Sequence, residues 1–319
     1  MPRVNLVDTV KLLEAKATKC QDFKAICKDI QIKDNGNTIV IKGVEYPILN
    51  TGKTTLCKTL HMPGNYFRKY PVVGELDEHA NTWLSKTPEQ EVLVRILDNR
   101  VRAILPSSFF IFDYLQGLAA IIEGLKGQPE ISLDVYDITD SQAVFNIIYG
   151  SELLLGKGLL PFVRFVGSEI GQGNLTVSNG IFNVVDSSSI VIQSKTYGHI
   201  KWGYKGKGGK SMGYSITNSA KNSIINVRVM QQALVDSQRD LLGITTEDIL
   251  KVLVERKDIS SKIATKLSDE ISVYNPKTVY DFINILMGVA QKNRSLNGRF
   301  KLEDILGRIL IDKYIKLGA

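Results

Sequence analysis

Ile131-Ser-Leu-Asp-Val-Tyr-Asp-Ile-Thr-Asp-Ser-Gln-Ala-Val-Phe-Asn-Ile-Ile-Tyr-Gly150 holds two β-rich runs, 131–138 and 143–149, either side of a Thr-Asp-Ser turn. β-branched and aromatic residues suit a pleated, half-buried surface, and Asp and Ser favour the turn that reverses it. Three further runs of the same kind follow, Leu159 to Val166, Leu175 to Ser178 and Ser189 to Gln193, again separated by Gly-, Ser- and Asp-bearing segments. Short strands in close succession predict a largely antiparallel central sheet. Beyond them, Ala220, Ile224, Val227, Met230, Leu234 and Leu241 fall at helical spacing, which predicts a long amphipathic helix over Thr217 to Leu242, stopped by Gly243.

Toward the amino terminus, Val10, Leu13, Cys20, Phe23 and Ile26 predict a helix within Val4 to Lys28. The runs at Ile30 and Thr38 flank Asp34-Asn-Gly-Asn, a hairpin signal because Asn and Gly accept positive φ. Short helices are expected at Thr54 to Leu60 and Leu76 to Leu84, two strands around the Asp98-Asn-Arg turn, and a helix capped by Asp113 that runs to Leu125. Toward the carboxyl terminus, helices are expected over Thr246 to Arg256, Ser260 to Ser272, Pro276 to Lys292 and Leu302 to Leu317. The fold class is therefore α+β, a largely antiparallel central sheet with flanking helices and a helical carboxyl-terminal region. Three parts are expected: 1–50 (helix and hairpin), 51–243 (α+β core with a basic aromatic segment) and 244–319 (helical).

With 44% hydrophobic and 23% charged residues, the chain buries a core. Cys20, Cys27 and Cys57 lack CxxC spacing and are expected to be reduced and mostly buried, and the absence of an apolar leader predicts a cytoplasmic protein of a bacterial cell. Asn50-Thr-Gly-Lys-Thr-Thr has the alphabet of a phosphate loop, but the position of its first glycine is Pro47; Gly209-Lys-Ser would need glycine at Tyr204. His61, His79 and His199 lie far apart, and Asp134, Asp137 and Asp140 alternate faces on a strand, so no metal, cofactor or catalytic residue is assigned.

The net charge of +7 is spread unevenly: no acidic residue occurs between Asp186 and Asp236. That interval carries Lys195, Lys201, Lys205, Lys207, Lys210, Lys221 and Arg228, interleaved with Tyr197, His199, Trp202, Tyr204 and Tyr214. Cations neutralise phosphates and release counterions, while aromatic rings stack unpaired bases, so the mixture suits a single strand better than a duplex. Lys195, Tyr197, His199, Lys201, Trp202, Tyr204, Lys205, Lys207, Lys210, Lys221 and Arg228 are the expected nucleic-acid contacts, with Gly203 to Ser211 as a flexible cationic loop. Trp202 and Tyr204, two apart, would share a face and stack successive bases. The apolar stripes Ile249, Leu253, Ile263, Leu267, Phe282, Leu286, Ile305 and Ile309 exceed what a covering layer was expected to need, which suggests a homo-oligomer.

Leu60-His-Met-Pro-Gly-Asn-Tyr66, Asn81-Thr-Trp-Leu84, Leu93-Val-Arg95, Val101-Arg-Ala-Ile-Leu105, Asp113, Gly167-Ser-Glu-Ile-Gly171, Ser178-Asn-Gly180 and Tyr197-Gly-His199 resemble, in that order, a phage/plasmid-like family catalogued as a domain of unknown function. The chain departs from it with Pro106-Ser-Ser-Phe109 after the arginine-alanine strand and with Ser178 in place of a cysteine. The resemblance implies a mobile-element origin and no established reaction. Together with the basic interval it leads to the expectation of a single-stranded DNA-binding protein of recombination or replication, an annealing protein among them. Two alternatives stay open: a metal-dependent enzyme acting on nucleic acid through Glu169, Asp134 and Asp137, and an interaction protein that meets a host defence or replication factor through its carboxyl-terminal helices.

Overall fold

The computed structural model describes residues 6–63, 66–69, 75–150, 158–183, 188–192, 198–204, 209–243, 245–293 and 296–311. The chain begins with α1 (Leu6–Thr18) and β1 (Cys20–Ile26), then β2 (Ile30–Lys33), β3 (Thr38–Ile41) and β4 (Val44–Pro47). The helix expected to reach Lys28 thus stops at Thr18, because the segment after it pairs antiparallel with β5 (Glu91–Leu97), about 70 residues on. A partner that distant leaves no trace in local periodicity. The Asp34-Asn35-Gly36 turn does join β2 to β3, all three residues at positive φ.

α2 (Asn50–Thr59), α3 (Tyr66–Lys69) and α4 (Glu75–Ser85) precede β5 and β6 (Arg100–Pro106). β1, β5 and β6 form one antiparallel sheet, β2, β3 and β4 another, and both bury aliphatic side chains against α2 and α4. The β5–β6 register shifts at Arg95/Ile96: Ile96 pairs with Val101 and Arg95 with Ala103, leaving Arg102 as the extra residue. A bulge re-aims side chains. Val101 and Ile104 enter the core under α2, whereas Ala103 and Leu105 pack on the opposite side against Ile170, and Arg102 reaches Glu169 there.

α5 (Tyr114–Gly124) opens on a capping box between Asp113 and Gln116, as the cap at Asp113 required. The central sheet contains β7 (Ser132–Ile138), β8 (Ala143–Ile148), β9 (Leu159–Gly167), β10 (Leu175–Asn183), β11 (Ser188–Ile192) and β12 (Ile200–Trp202). It is antiparallel throughout, in the order β11-β10-β9-β8-β7, with β12 sharing the far edge of β10 beside β11. One face carries Phe145, Val163, Phe165 and Val177 against α5 and α6 (Gly209–Arg239). α6 starts eight residues before the expected Thr217, because Met212 and Ile216 extend the inward stripe of Ala220 and are fully buried. That burial outweighs the low helix propensity of Gly209 and Gly213.

α7 (Thr246–Glu255), α8 (Ser261–Tyr274), α9 (Val279–Lys292) and α10 (Leu296–Ile311) complete the described chain. α9 begins at Val279, not at Pro276, because Thr278 and Asp281 form a capping box. Of the apolar stripe that suggested an oligomer, Ile249, Leu253, Leu267, Phe282, Leu286, Ile305 and Ile309 are buried in one core with β11 and α6, so they are not available to a second subunit. α10 lies so close to the edge that a Cβ on Gly307 would sit 1.9 Å from the Val191 carbonyl oxygen. Contacts cross the expected boundaries at 50 and 243: β1 pairs with β5, and the sheet residues Ile181, Ile190 and Ile192 share a core with α7 to α10. The architecture is α+β, and no helix among the described residues is long and apolar enough to cross a membrane.

An ionic cluster joins the amino-terminal sheet to the central one. Arg95, with no exposed side-chain surface, donates to both carboxylate oxygens of Asp22 (2.8 and 2.9 Å), to Asp113 (2.8 Å) and to the Glu169 carbonyl. The Glu169 carboxylate accepts from Arg102 (2.8 Å) and from the Tyr114 N–H (3.0 Å), and Lys16 lies 3.2 Å away. Burial alone would raise the Glu169 pKa, but Arg102 and Lys16 outweigh it and hold the carboxyl below its usual range.

Two predictions follow from this packing. Gly180→Ala would place a Cβ 2.0 Å from the Ile190 carbonyl and is expected to cost ~1–3 kcal/mol, whereas Gly213→Ala in α6 meets nothing within 4 Å and should stabilise by ~1 kcal/mol; urea unfolding of the two variants reads both signs. Glu169→Gln strips Arg102 of its ionic partner among the described residues, and breaking a buried pair costs about 3–5 kcal/mol. The wild-type contribution is fully present above the carboxyl pKa of the unfolded chain, about 4.3, and is lost as pH falls through the lower folded value. Urea unfolding from neutral to acid pH should therefore show a steeper loss in wild type than in Glu169→Gln.

Candidate nucleic-acid interface

The β9–β10 turn, anchored through Glu169, separates two clefts that meet over Gly173 and Asn174. The larger, about 680 Å³, runs between α2 and this turn and is lined by Lys58, Thr59, His61, Ser108, Phe109, Gly203 and Tyr204 among others. His61 is exposed and held at φ +57, a left-handed conformation just past the end of α2 that non-glycine residues rarely adopt. The smaller, about 380 Å³, lies on the face of the central sheet turned away from α6 and is lined by Gln142, Arg164, Gln172, Thr176, Ser178, Lys201 and Phe300 among others. Among the described residues neither lining contains an aspartate or glutamate, and Lys58 and Lys201 are exposed in them.

Strand register sets the smaller cleft. Asn146, Arg164 and Ser178 are directly opposite one another on β8, β9 and β10, and Thr176 pairs with Lys201 of β12. Arg164 is fixed by Asn146 (2.9 Å), Ser189 (3.0 Å) and Glu303, which Arg299 also holds at 2.9 Å. Burial would raise the Glu303 carboxyl, but Arg164 overrides it and keeps it below the usual range, so the Arg164–Glu303 pair ties α10 to the sheet. Ser178 Oγ lies 2.9 Å from His199 Nδ1. Burial, with Lys201 adding to it, lowers the His199 pKa below the ordinary imidazole value, partly offset by a hydrogen bond to the Val177 backbone.

Of the expected contacts, Lys201 and His199 fall beside this groove. Trp202 and Tyr204 do share a face, but the wrong one: both join the core under α6. Tyr204 is 5% exposed, stacks on Phe109 at 5.2 Å, and its hydroxyl accepts from the Ser168 N–H at 2.7 Å. Burial pushes its phenol up to about 12. Its ring is not an open platform for a base. Lys221 and Arg228 project from the exposed side of α6 with Tyr214 and Ile225, apart from Lys201. Lys210 lies in the first turn of α6 and not in a loop, while Lys195, Tyr197, Lys205 and Lys207 lie outside the described residues.

Glu169 is engaged in the ionic cluster, and Asp134 lies on β7 opposite Asn146 of β8. Among the described residues no three His, Cys, Asp or Glu side chains group as metal ligands. The phosphate-loop alphabet at Asn50 lies within α2, and Lys53 donates to Asn37 at 2.8 Å. Sequence alone missed Lys58, His61, Gln142, Arg164, Gln172, Asn174 and Phe300, which come to the groove from separate segments. Comparison of the chain with family models, curated proteins and solved structures finds no match, so the likeness to the phage/plasmid-like family rests on motif order alone. Four of its motif residues, Arg95, Arg102, Asp113 and Glu169, meet in the buried cluster.

Since Lys201 disfavours the imidazolium, Lys201→Ala should raise the His199 titration midpoint. An NMR titration of the imidazole protons in wild type and variant checks this; an unchanged midpoint would show that Lys201 does not act on the ring.

Proposed function

We propose that the protein binds single-stranded nucleic acid, DNA in preference, along the groove made by the two joined clefts. What carries this reading is the lining itself: the exposed side chains of Lys58, His61 and Lys201, with no aspartate or glutamate among the described lining residues. The exposed ammonium groups of Lys58 and Lys201 attract a polyanion and neutralise its phosphates as the strand displaces counterions. The interior core fate of the α7 to α10 stripes removes the ground for a ring or filament, so binding is proposed without annealing by assembly. A place in phage or plasmid recombination or replication accords with the motif order.

The test is the salt dependence of binding. Each phosphate contact on a single strand contributes about 0.7 to the slope of log affinity against log salt, so Lys58→Ala with Lys201→Ala should lower the slope by about 1.4 and weaken binding at low salt. Both side chains are exposed, so the unfolding midpoint should hold. Wild-type affinity and slope in the double variant would remove the groove as the binding site.

A further inference from the structure

α6 has two sides of different make-up. Helical spacing puts Met212, Ile216, Ala220, Ser223, Met230 and Leu234 on one side, and all are buried. Opposite them, Tyr214, Lys221, Ile225, Arg228 and Val229 fall within an arc of about 100° at 3.6 residues per turn. All five are exposed, Tyr214 at 69%, Ile225 at 72% and Val229 at 47%. The charges on this side are of one sign. No aspartate or glutamate occurs between Asp186 and Asp236, and among the described residues Lys221 and Arg228 have no ionic partner. Asp236, the first acid beyond the stripe, accepts from Gln232 at 2.8 Å. The solvent faces of α7 and α8 differ: exposed Glu247, Asp248 and Lys251 mix signs on the first, exposed Lys262, Lys266 and Asp269 on the second. Mixed signs at helical spacing suit a helix that meets only water. Large apolar side chains left in water between unpaired cations gain from a partner that covers the first and neutralises the second.

A second copy does not meet both needs, because the same stripe would bring cations to cations. A nucleic-acid strand would pair with Lys221 and Arg228 but leave Ile225 and Val229, which have no ring on which a base stacks. We infer that the exposed side of α6 is a docking surface for an acidic amphipathic helix of a partner protein. Its apolar side lies on Tyr214, Ile225 and Val229 and its carboxylates meet Lys221 and Arg228, the helix-in-groove mode reduced to a ridge. The stripe is about 22 Å long by the rise of the helix, which places the contact among small, transient interfaces. α6 covers one face of the central sheet and the smaller cleft opens on the other, so the surface is independent of the groove.

The test uses the full chain and two synthetic peptides of about four heptads, both with leucine at the a and d positions and with either glutamate or lysine at e and g. Anisotropy of the labelled peptides is expected to show saturable binding of the glutamate peptide by wild type. Binding should be at least about tenfold weaker for Lys221→Glu/Arg228→Glu and for Ile225→Ser/Val229→Ser. The charge-reversed variant should instead bind the lysine peptide, a gain that loss of folding does not produce. Hydrogen exchange with the glutamate peptide should protect residues 211–232, and oligo-thymidine should not compete. Wild type that binds neither peptide, or both equally, overturns the docking surface. So does displacement of the glutamate peptide by oligo-thymidine, which would give the stripe to nucleic acid. Binding of vesicles of phosphatidylcholine and phosphatidylglycerol, but not of the peptide, through Ile225 and Arg228 would give it to a lipid surface and overturn the inference equally.

Discussion

The ionic cluster around Glu169 is the constraint on which the rest of the structure depends. It brings Lys16 of α1, Arg95 of β5, Arg102 of β6, Asp22 of β1, Asp113 at the start of α5 and Glu169 after β9 into one partly buried group, three cations against three carboxylates. Every one of these side chains belongs to a different element or turn. Hydrophobic contact alone joins two sheets without specifying their angle or register, whereas the charge-assisted hydrogen bonds from Arg95 to Asp113 and the Glu169 carbonyl, and from Arg102 to the Glu169 carboxylate, are directional. The cluster therefore sets how the amino-terminal sheet meets the central one, and with it the course of the 168–174 turn.

That turn is where architecture becomes a site. Ser168 and Asn174 are its ends, Gly171 and Gly173 take positive φ within it, and the Gln172 N–H donates to Ser168 Oγ at 2.8 Å. Gly171 packs so closely on Phe109 that a Cβ would lie 2.7 Å from the ring, which presses the turn against the wall of the larger cleft. The acids of the region point inward, to Arg95, Arg102 and Arg164, and the bases at the groove point outward. Neutralising carboxylates in the interior while exposing Lys58 and Lys201 gives a surface more cationic than the local composition suggests. Screening over about 10 Å at 0.1 M salt makes that local arrangement matter more than the net charge of +7.

Much of the fold was legible because its determinants are local. The Asp34-Asn-Gly and Asp98-Asn turns sit at positive φ, Asp113 caps α5, and the central strands lie where β-rich runs alternate with turn residues. What was not legible depends on distant partners. β1 is a strand because β5 is there to pair with it, and Arg102 turns inward because of a bulge that no local pattern announces. The basic aromatic interval gave the parity of Trp202 and Tyr204 correctly, but parity does not say which face of a sheet a helix will cover. The groove was hidden for the same reason: Lys58, Gln142, Gln172, Lys201 and Phe300 come from five stretches that share no motif and come together only through tertiary packing.

The central claim is that a single strand lies along the groove across the 168–174 turn, and amide hydrogen exchange tests it most directly, because a bound strand slows the opening of the backbone it covers. With saturating oligo-thymidine, protection is expected in peptides covering 58–61, 168–174 and 198–204, with little change in α7, α8 and the exposed side of α6. Protection confined to α6 around Lys221 and Arg228, with the 168–174 turn exchanging as in the free protein, would contradict the account.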